Sequence, residues 1–179
     1  MKFAYADPPY LGMAARYYAD HPDHAVYDTE DGHRALIERL SEEFPDGWAL
    51  SLSSVTLRTI LPMCPPDVRV MAWCKSFVTL KGKNPVYAWE PVIVRGGRPW
   101  PRLSPTRDGN SPMVRDYLVE PITLRRGFPG AKPEKFVYWV LSLLNVQPDD
   151  EFMDLFPGSG AVGEAWDSWR RQLPLALVR

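Results

Sequence analysis

Apolar runs broken by turn residues mark out the elements of this 179-residue chain. Phe3-Ala4-Tyr5-Ala6 is a short β-rich run that stops at Asp7-Pro8-Pro9-Tyr10, the pattern of a buried strand ending in a rigid loop. Residues 11–31 are rich in Tyr, Asp and His and lack clean periodicity, which predicts a long loop. Residues 33–43 place Ala35, Leu36 and Leu40 on one helical face, with Asp31 or Gly32 as the cap. A strand is predicted at 48–54, a short helix at 55–63 stopped by Pro65-Pro66, and a strand at 68–73 ending near Lys75. Residues 86–94 read as a strand interrupted by Pro91, which predicts an edge or a bulge. A short extended segment at 117–124 precedes a helical stretch at 136–144. The apolar run 152–156 then ends in the glycine-rich turn Pro157-Gly158-Ser159-Gly160, followed by helical spacing from 161 to 171 and a last predicted strand at 173–178. Strands alternating with helices predict an α/β domain, and the length suits one domain over 1–179.

The first turn has a particular chemistry. Neither proline has an N–H, so the loop offers acceptors and few donors. Asp7 adds two carboxylate oxygens and Tyr10 a flat ring. Acceptors beside a stacking surface suit a planar base carrying an –NH₂ group, and they equally suit a strand-end turn that an aspartate merely solvates. The second turn, with Gly158 and Gly160 between strand and helix, lets a ligand approach the backbone where helix N–H groups point outward. It lacks the Lys-Ser/Thr of a phosphate-binding loop, and its glycines are not spaced as in the dinucleotide fingerprint.

Together the two turns resemble the S-adenosylmethionine-dependent amino-methyltransferases. In that family an Asp-Pro-Pro-Tyr motif holds the target amine and an Asp-x-Phe-x-Gly-x-Gly-like turn holds the cofactor. Gly130-Ala131-Lys132-Pro133-Glu134-Lys135 resembles the family's Lys-Pro element near the methionine end of the cofactor. The catalytic motif comes first and the cofactor motif last, as in the permuted β-type order. The resemblance implies a circularly permuted Rossmann-like methyltransferase fold, with a mixed sheet and an antiparallel edge hairpin formed by 68–73 and 86–94. It implies catalytic roles for Asp7, Pro8, Pro9 and Tyr10. Cofactor contacts fall to Ala6, Asp7, Lys132, Pro133, Asp154, Phe156, Pro157, Gly158, Ser159 and Gly160, with Lys132 facing the methionine carboxylate. The implied reaction moves a methyl group from S-adenosyl-L-methionine to the amino group of adenine in DNA. RNA, a cytosine amine, or a non-catalytic subunit of an active partner are the alternatives. Relatives place a carboxylate after the final strand to hold the cofactor's ribose, and this chain has none there.

Charge adds a partner. The net charge of −1 conceals −5 over residues 1–74, +7 over 75–135 and −3 over 136–179. A basic middle is the footprint expected beneath a phosphate backbone, or else a solvated face. Arg95, Arg98, Arg102, Arg107 and Arg115 lie among Gly, Pro and Trp100 in a short basic loop over 95–116, where relatives insert a target recognition domain. Without that domain, target selection is expected to be loose or to come from a homodimer or partner subunit. Tyr17 and Tyr18 either stack on a nucleotide or anchor their loop, and Glu90 either lines the pocket or pairs with a neighbouring arginine. Cys64 and Cys74 read as reduced core thiols, and His21-x-x-His24 reads as a polar loop rather than a metal site. No run approaches a membrane span and no signal-peptide pattern opens the chain, so the expected location is cytoplasmic.

Overall fold

The computed structural model describes residues 1–13, 24–76, 85–100, 113–123 and 131–176. Six strands form one sheet: β1 (Lys2–Ala6), β2 (Gly47–Ser51), β3 (Arg69–Cys74), β4 (Trp89–Gly96), β5 (Tyr117–Val119) and β6 (Glu151–Asp154). Their order across the sheet is β5-β3-β4-β2-β1-β6. β1 pairs in parallel with β2 and β6, and β3 with β5, while β4 runs antiparallel to both its neighbours. Five strands therefore point one way, and β4 alone starts where they end.

The helices α1 (His24–Tyr27), α2 (Glu30–Glu43), α3 (Leu57–Ile60), α4 (Glu134–Leu143) and α5 (Ala161–Ala176) cover the two faces. Alternation along the strands decides what each face buries. Phe3, Tyr5, Met71, Trp73, Val92 and Val94 meet Phe136, Val137, Val140 and Leu141 of α4 and Val162 and Ala165 of α5. Ala4, Ala6, Trp48, Leu50 and Ile93 turn to the other face, against Leu36, Ile37 and Leu40 of α2.

Several boundaries differ from the sequence reading. α2 begins at Glu30, not 33, because Thr29 is its cap and accepts from Gly32 N at 3.0 Å. Gly32 sits inside the first turn against α1: a Cβ there would lie 2.0 Å from Val26 O. The predicted helix at 55–63 divides into α3 and a 3₁₀ turn, Leu61–Met63. Part of the predicted loop at 11–31 is α1, and Gly12 N donates to Asp28 Oδ1 at 2.7 Å, tying the two ends of that segment together.

Pro91 does not mark an edge: β4 is interior, between β3 and β2. In an antiparallel ladder a residue's N–H and C=O face the same neighbour. The donor that Pro91 lacks therefore falls past the last β2 pair, Ser51↔Val92, while its carbonyl still accepts from Leu52 N at 3.3 Å. The antiparallel β3–β4 pair is present, and the three-residue β5 flanks it on the outer side. Residues 173–176 of the predicted last strand are instead the end of α5, and 177–178 lie outside the described residues. Extending an existing helix is easier than starting a strand, and Leu173, Leu175 and Ala176 are good helix formers, although Pro174 among them costs the helix an N–H donor. β6 thus borders the sheet among the described residues.

Candidate active site

Chain direction gathers the candidate residues. Asp7 leaves the carboxyl end of β1, and Asp154 ends β6 beside it, with Leu155 N donating to Tyr5 O at 3.0 Å. From β1 the chain continues to α2 on one face of the sheet, and from β6 to α5 on the other. A crevice at the carboxyl ends of two such strands is the general ligand position in open α/β sheets. Glu90 reaches the same end because β4 is reversed, and Lys132 does so just ahead of α4.

These side chains form one hydrogen-bonded cluster. Lys132 Nζ lies 2.9 Å from Asp7 Oδ1 and 3.7 Å from Glu90 Oε2. It also donates to the Tyr10 hydroxyl at 3.3 Å. That hydroxyl lies 3.0 Å from Glu90 Oε2 and 3.3 Å from Asp7 Oδ1. Lys75 Nζ makes a close ion pair with Glu90 Oε1. The Lys132 ammonium stands 5.6 Å from the ring centres of both Tyr10 and Trp73, so aromatic faces add to its hold. Below the cluster, the buried Tyr5 hydroxyl is 2.8 Å from Ser51 Oγ.

Burial pushes the Asp7 carboxyl above the usual range, against the pull of Lys132. Burial acts on Glu90 in the same sense, but Lys132 and Lys75 overcome it and hold that carboxyl low. Tyr10 is pushed well above its usual value, first by burial and then by the nearby carboxylates, so it stays neutral.

The glycine turn has a different character. Gly158 and Gly160 have φ of 44° and 77°, in the left-handed region that favours glycine. A Cβ on Gly160 would meet nothing within 4 Å, and one on Gly158 only Phe156 O at 3.7 Å. The turn is open on its outer side, directly before the amino end of α5. Asp154 Oδ1 accepts from Phe156 N at 3.1 Å, while its buried Oδ2 has no partner among the described residues. Burial pushes the Asp154 carboxyl up to about 6. Tyr27 of α1 packs edge-on against Phe156, with ring centres 4.9 Å apart, and so supports the turn from the α2 face.

The sequence-derived residues fall into two groups. Ala6, Asp7, Pro8, Pro9, Tyr10, Lys132, Pro133 and the 154–160 turn share the carboxyl end of the sheet. Lys132 engages Asp7, Tyr10 and Glu90 there, and Glu90 pairs with lysines rather than an arginine. Arg95 and Arg98 do not join them. Arg95 is bound at 3.0 Å to Asp67, and Arg98 Nη2 donates to both oxygens of Asp150 at 2.6 and 2.8 Å, at the amino end of the parallel strands. Glu90 and Arg95 are roughly 17 Å apart by the rise of a strand. Arg98 also helps line a cleft of about 420 Å³ at that end with Arg69 and Trp100. Arg115 is exposed and lies over the Tyr117 ring. Arg102 and Arg107 lie outside the described residues, as do Tyr17, Tyr18 and His21. Lys75 was missed as a site residue. Its signal was a lysine directly following an apolar strand.

Among the described residues no helix is long and apolar enough to cross a membrane, and no cluster of His, Cys, Asp and Glu could hold a metal. No family model and no curated protein matches the sequence. Among solved structures, the chain is similar to a crystal structure of the M1.HpyAVI–SAM complex, with a TM-score of 0.53, 16% identity, and 94% of this chain and 78% of that chain covered. It is also similar to a crystal structure of M1.HpyAVI, with a TM-score of 0.54, 16% identity, and 94% and 77% of the two chains covered. At that identity the likeness is one of fold, and the mixed six-stranded sheet with its flanking helices is a methyltransferase fold.

Proposed function

We propose that this protein is a methyltransferase that uses S-adenosylmethionine to methylate the exocyclic amino group of adenine in DNA, with its motifs in the permuted order. The observation that carries the reading is the adjacency of Asp7-Pro8-Pro9-Tyr10 and the open 154–160 turn on β1 and β6. An acceptor site for an amine thereby stands next to a backbone cradle for a second ligand. Support also comes from the fold and from the SAM-bound state of a similar structure.

The residues of the cradle fit the cofactor. Unfilled space outside Gly158 and Gly160 admits a ligand against the backbone, the amino end of α5 presents N–H groups, and Asp154 Oδ2, without a partner among the described residues, is an acceptor for a ligand donor. S-adenosylmethionine would supply a methyl group on a sulfonium that leaves as a neutral thioether. The chain supplies the rest. Asp7 Oδ2 and the Pro8 carbonyl accept the amine hydrogens and turn the nitrogen lone pair toward the cradle. The Tyr10 ring stacks on the base once it has left the duplex. The nitrogen becomes acidic as its new C–N bond forms, and its proton passes to Asp7, whose raised pKa suits it to receive one. With Arg95 and Arg98 already paired, phosphate contacts fall to Arg102, Arg107 and Arg115, and target choice is loose or comes from a second subunit.

The test is transfer of tritium from methyl-labelled cofactor to duplex DNA, single-stranded DNA, RNA and free nucleosides in parallel. Label in DNA, recovered on hydrolysis as N6-methyladenine, is expected. Label in RNA alone would move the substrate class, and label in none of the four would overturn the reading.

A further inference from the structure

Glu90 belongs to none of the motifs. It lies near the start of β4, and both its oxygens are engaged: Oε1 by Lys75, Oε2 by the Tyr10 hydroxyl at 3.0 Å with Lys132 at 3.7 Å. The Tyr10 hydroxyl has one proton and two carboxylate neighbours, of which Glu90 is the nearer. Asp7 Oδ1 is met by Lys132 and Tyr10, the same two groups that Glu90 holds. Asp7 Oδ2 accepts no hydrogen bond among the described residues.

We infer that Glu90 is a positioning residue for Asp7: it anchors Tyr10 and Lys132, and through them fixes the carboxylate with Oδ1 turned into the protein and Oδ2 presented to the incoming amine. The inference rests on the amine-holding role proposed for Asp7. Glu90 acts through charge as well as shape. The cluster sets two carboxylates against two ammonium groups, and Lys132 is shared between the carboxylates. Without the Glu90 charge, Lys132 serves Asp7 alone, and an Asp7 drawn tightly to an ammonium is a poorer acceptor for a neutral amine. The groups that act on Asp7 are Lys132 ahead of α4, Glu90 on β4 and Tyr10 on its own loop; Asp7 in turn acts on Tyr5 of β1 and Asp154 of β6, and Lys75 acts through Glu90.

The experiment follows the Asp7 carboxyl by ¹³C NMR titration in the wild type, Glu90→Gln and Lys75→Met, with the signal assigned from Asp7→Asn. Glu90→Gln removes a neighbouring negative charge and should lower the Asp7 midpoint by about half a pH unit or more. Lys75→Met strips Glu90 of its other partner and should raise it. Opposite signs are the signature of the coupling, because loosened packing alone would move both variants the same way. With DNA as substrate, Glu90→Gln should lower kcat/KM about tenfold and shift its acidic limb by the NMR increment, with cofactor Kd within twofold. An Asp7 midpoint unmoved in Glu90→Gln, or moved the same way in both variants, would overturn the inference. A wild type that transfers no methyl group overturns the proposed function instead, and the NMR midpoints still decide the Glu90–Asp7 link.

Discussion

Replacing Asp154 by Asn should make the protein more stable and a poorer binder of its cofactor. The Asp154 carboxyl sits at about 6 in the folded chain against an ordinary 3.8, because burial, reinforced by the Asp7 charge, outweighs its one hydrogen bond from Phe156 N, and its buried Oδ2 has no partner among the described residues. A gap of about two units, at about 1.4 kcal/mol each, sets a ceiling of about 3 kcal/mol on what the ionised group costs the fold. Screening by solvent at the mouth of the turn reduces this to about 1–2 kcal/mol. The pH dependence follows from the direction of the shift. A carboxyl raised on folding costs nothing below its unfolded value, costs progressively more between 3.8 and about 6, and its full amount above that. Asn keeps an acceptor for Phe156 N but places an unpartnered amide nitrogen where Oδ2 stood, a loss that is the same at every pH. The gain of the variant over wild type should therefore grow by about 1–2 kcal/mol from pH 4 to pH 7.5, or about 3–6 °C in Tm for a chain of this size. Urea unfolding at the two pH values measures it, and calorimetric titration with S-adenosylmethionine should show affinity reduced about tenfold or more if Oδ2 serves a ligand donor. A stability difference that does not change with pH would refute the reasoning.

Two further outcomes separate cradle from scaffold. Gly158→Val should remove cofactor binding at a cost of about 1–2 kcal/mol in stability, since the strain is confined to one left-handed residue and its Cβ would meet only Phe156 O, at an ordinary 3.7 Å; normal titration by S-adenosylmethionine would make the turn structural only. Arg98→Ala should lower stability by about 2 kcal/mol by leaving the buried Asp150 with only the amino terminus and the Gln147 N–H as partners, while leaving the salt dependence of DNA binding unchanged. Arg98, the Gln147 N–H and the amino terminus together hold Asp150 below its usual range despite burial, so that loss should be full near neutral pH and fade as pH falls through the native Asp150 value. A flattened salt slope with unchanged stability would return Arg98 to the nucleic-acid surface.

What the sequence disclosed was local. Asp7-Pro8-Pro9-Tyr10 and 154–160 carry their chemistry within a few residues, so each could be read as a turn with a purpose before any fold was known. What joins them is tertiary. Glu90 reaches the site only because β4 is reversed, and nothing near position 90 specifies that its partners are Lys75, Tyr10 and Lys132. Pro91 misled for the same reason: it is compatible with an interior strand when its neighbour ends one residue earlier. The arginines of the basic middle could be counted, but Asp67 and Asp150, far away in sequence, decide that two of them are engaged at the other end of the sheet. The apolar run predicted as a strand from 173 continues, through Ala176, a helix already under way, a choice that an apolar run by itself cannot make.

The central claim is that Asp7 holds the amine, and that any contact it makes with the cofactor adds little to cofactor affinity. It is tested most directly by tritium transfer to an adenine-containing oligonucleotide by Asp7→Ala, at a cofactor concentration shown by titration to saturate the variant as it does the wild type. The account predicts transfer reduced at least about a thousandfold, because alignment of the reacting nitrogen is lost while the cradle is intact. Transfer within tenfold of wild type at saturating cofactor would contradict it.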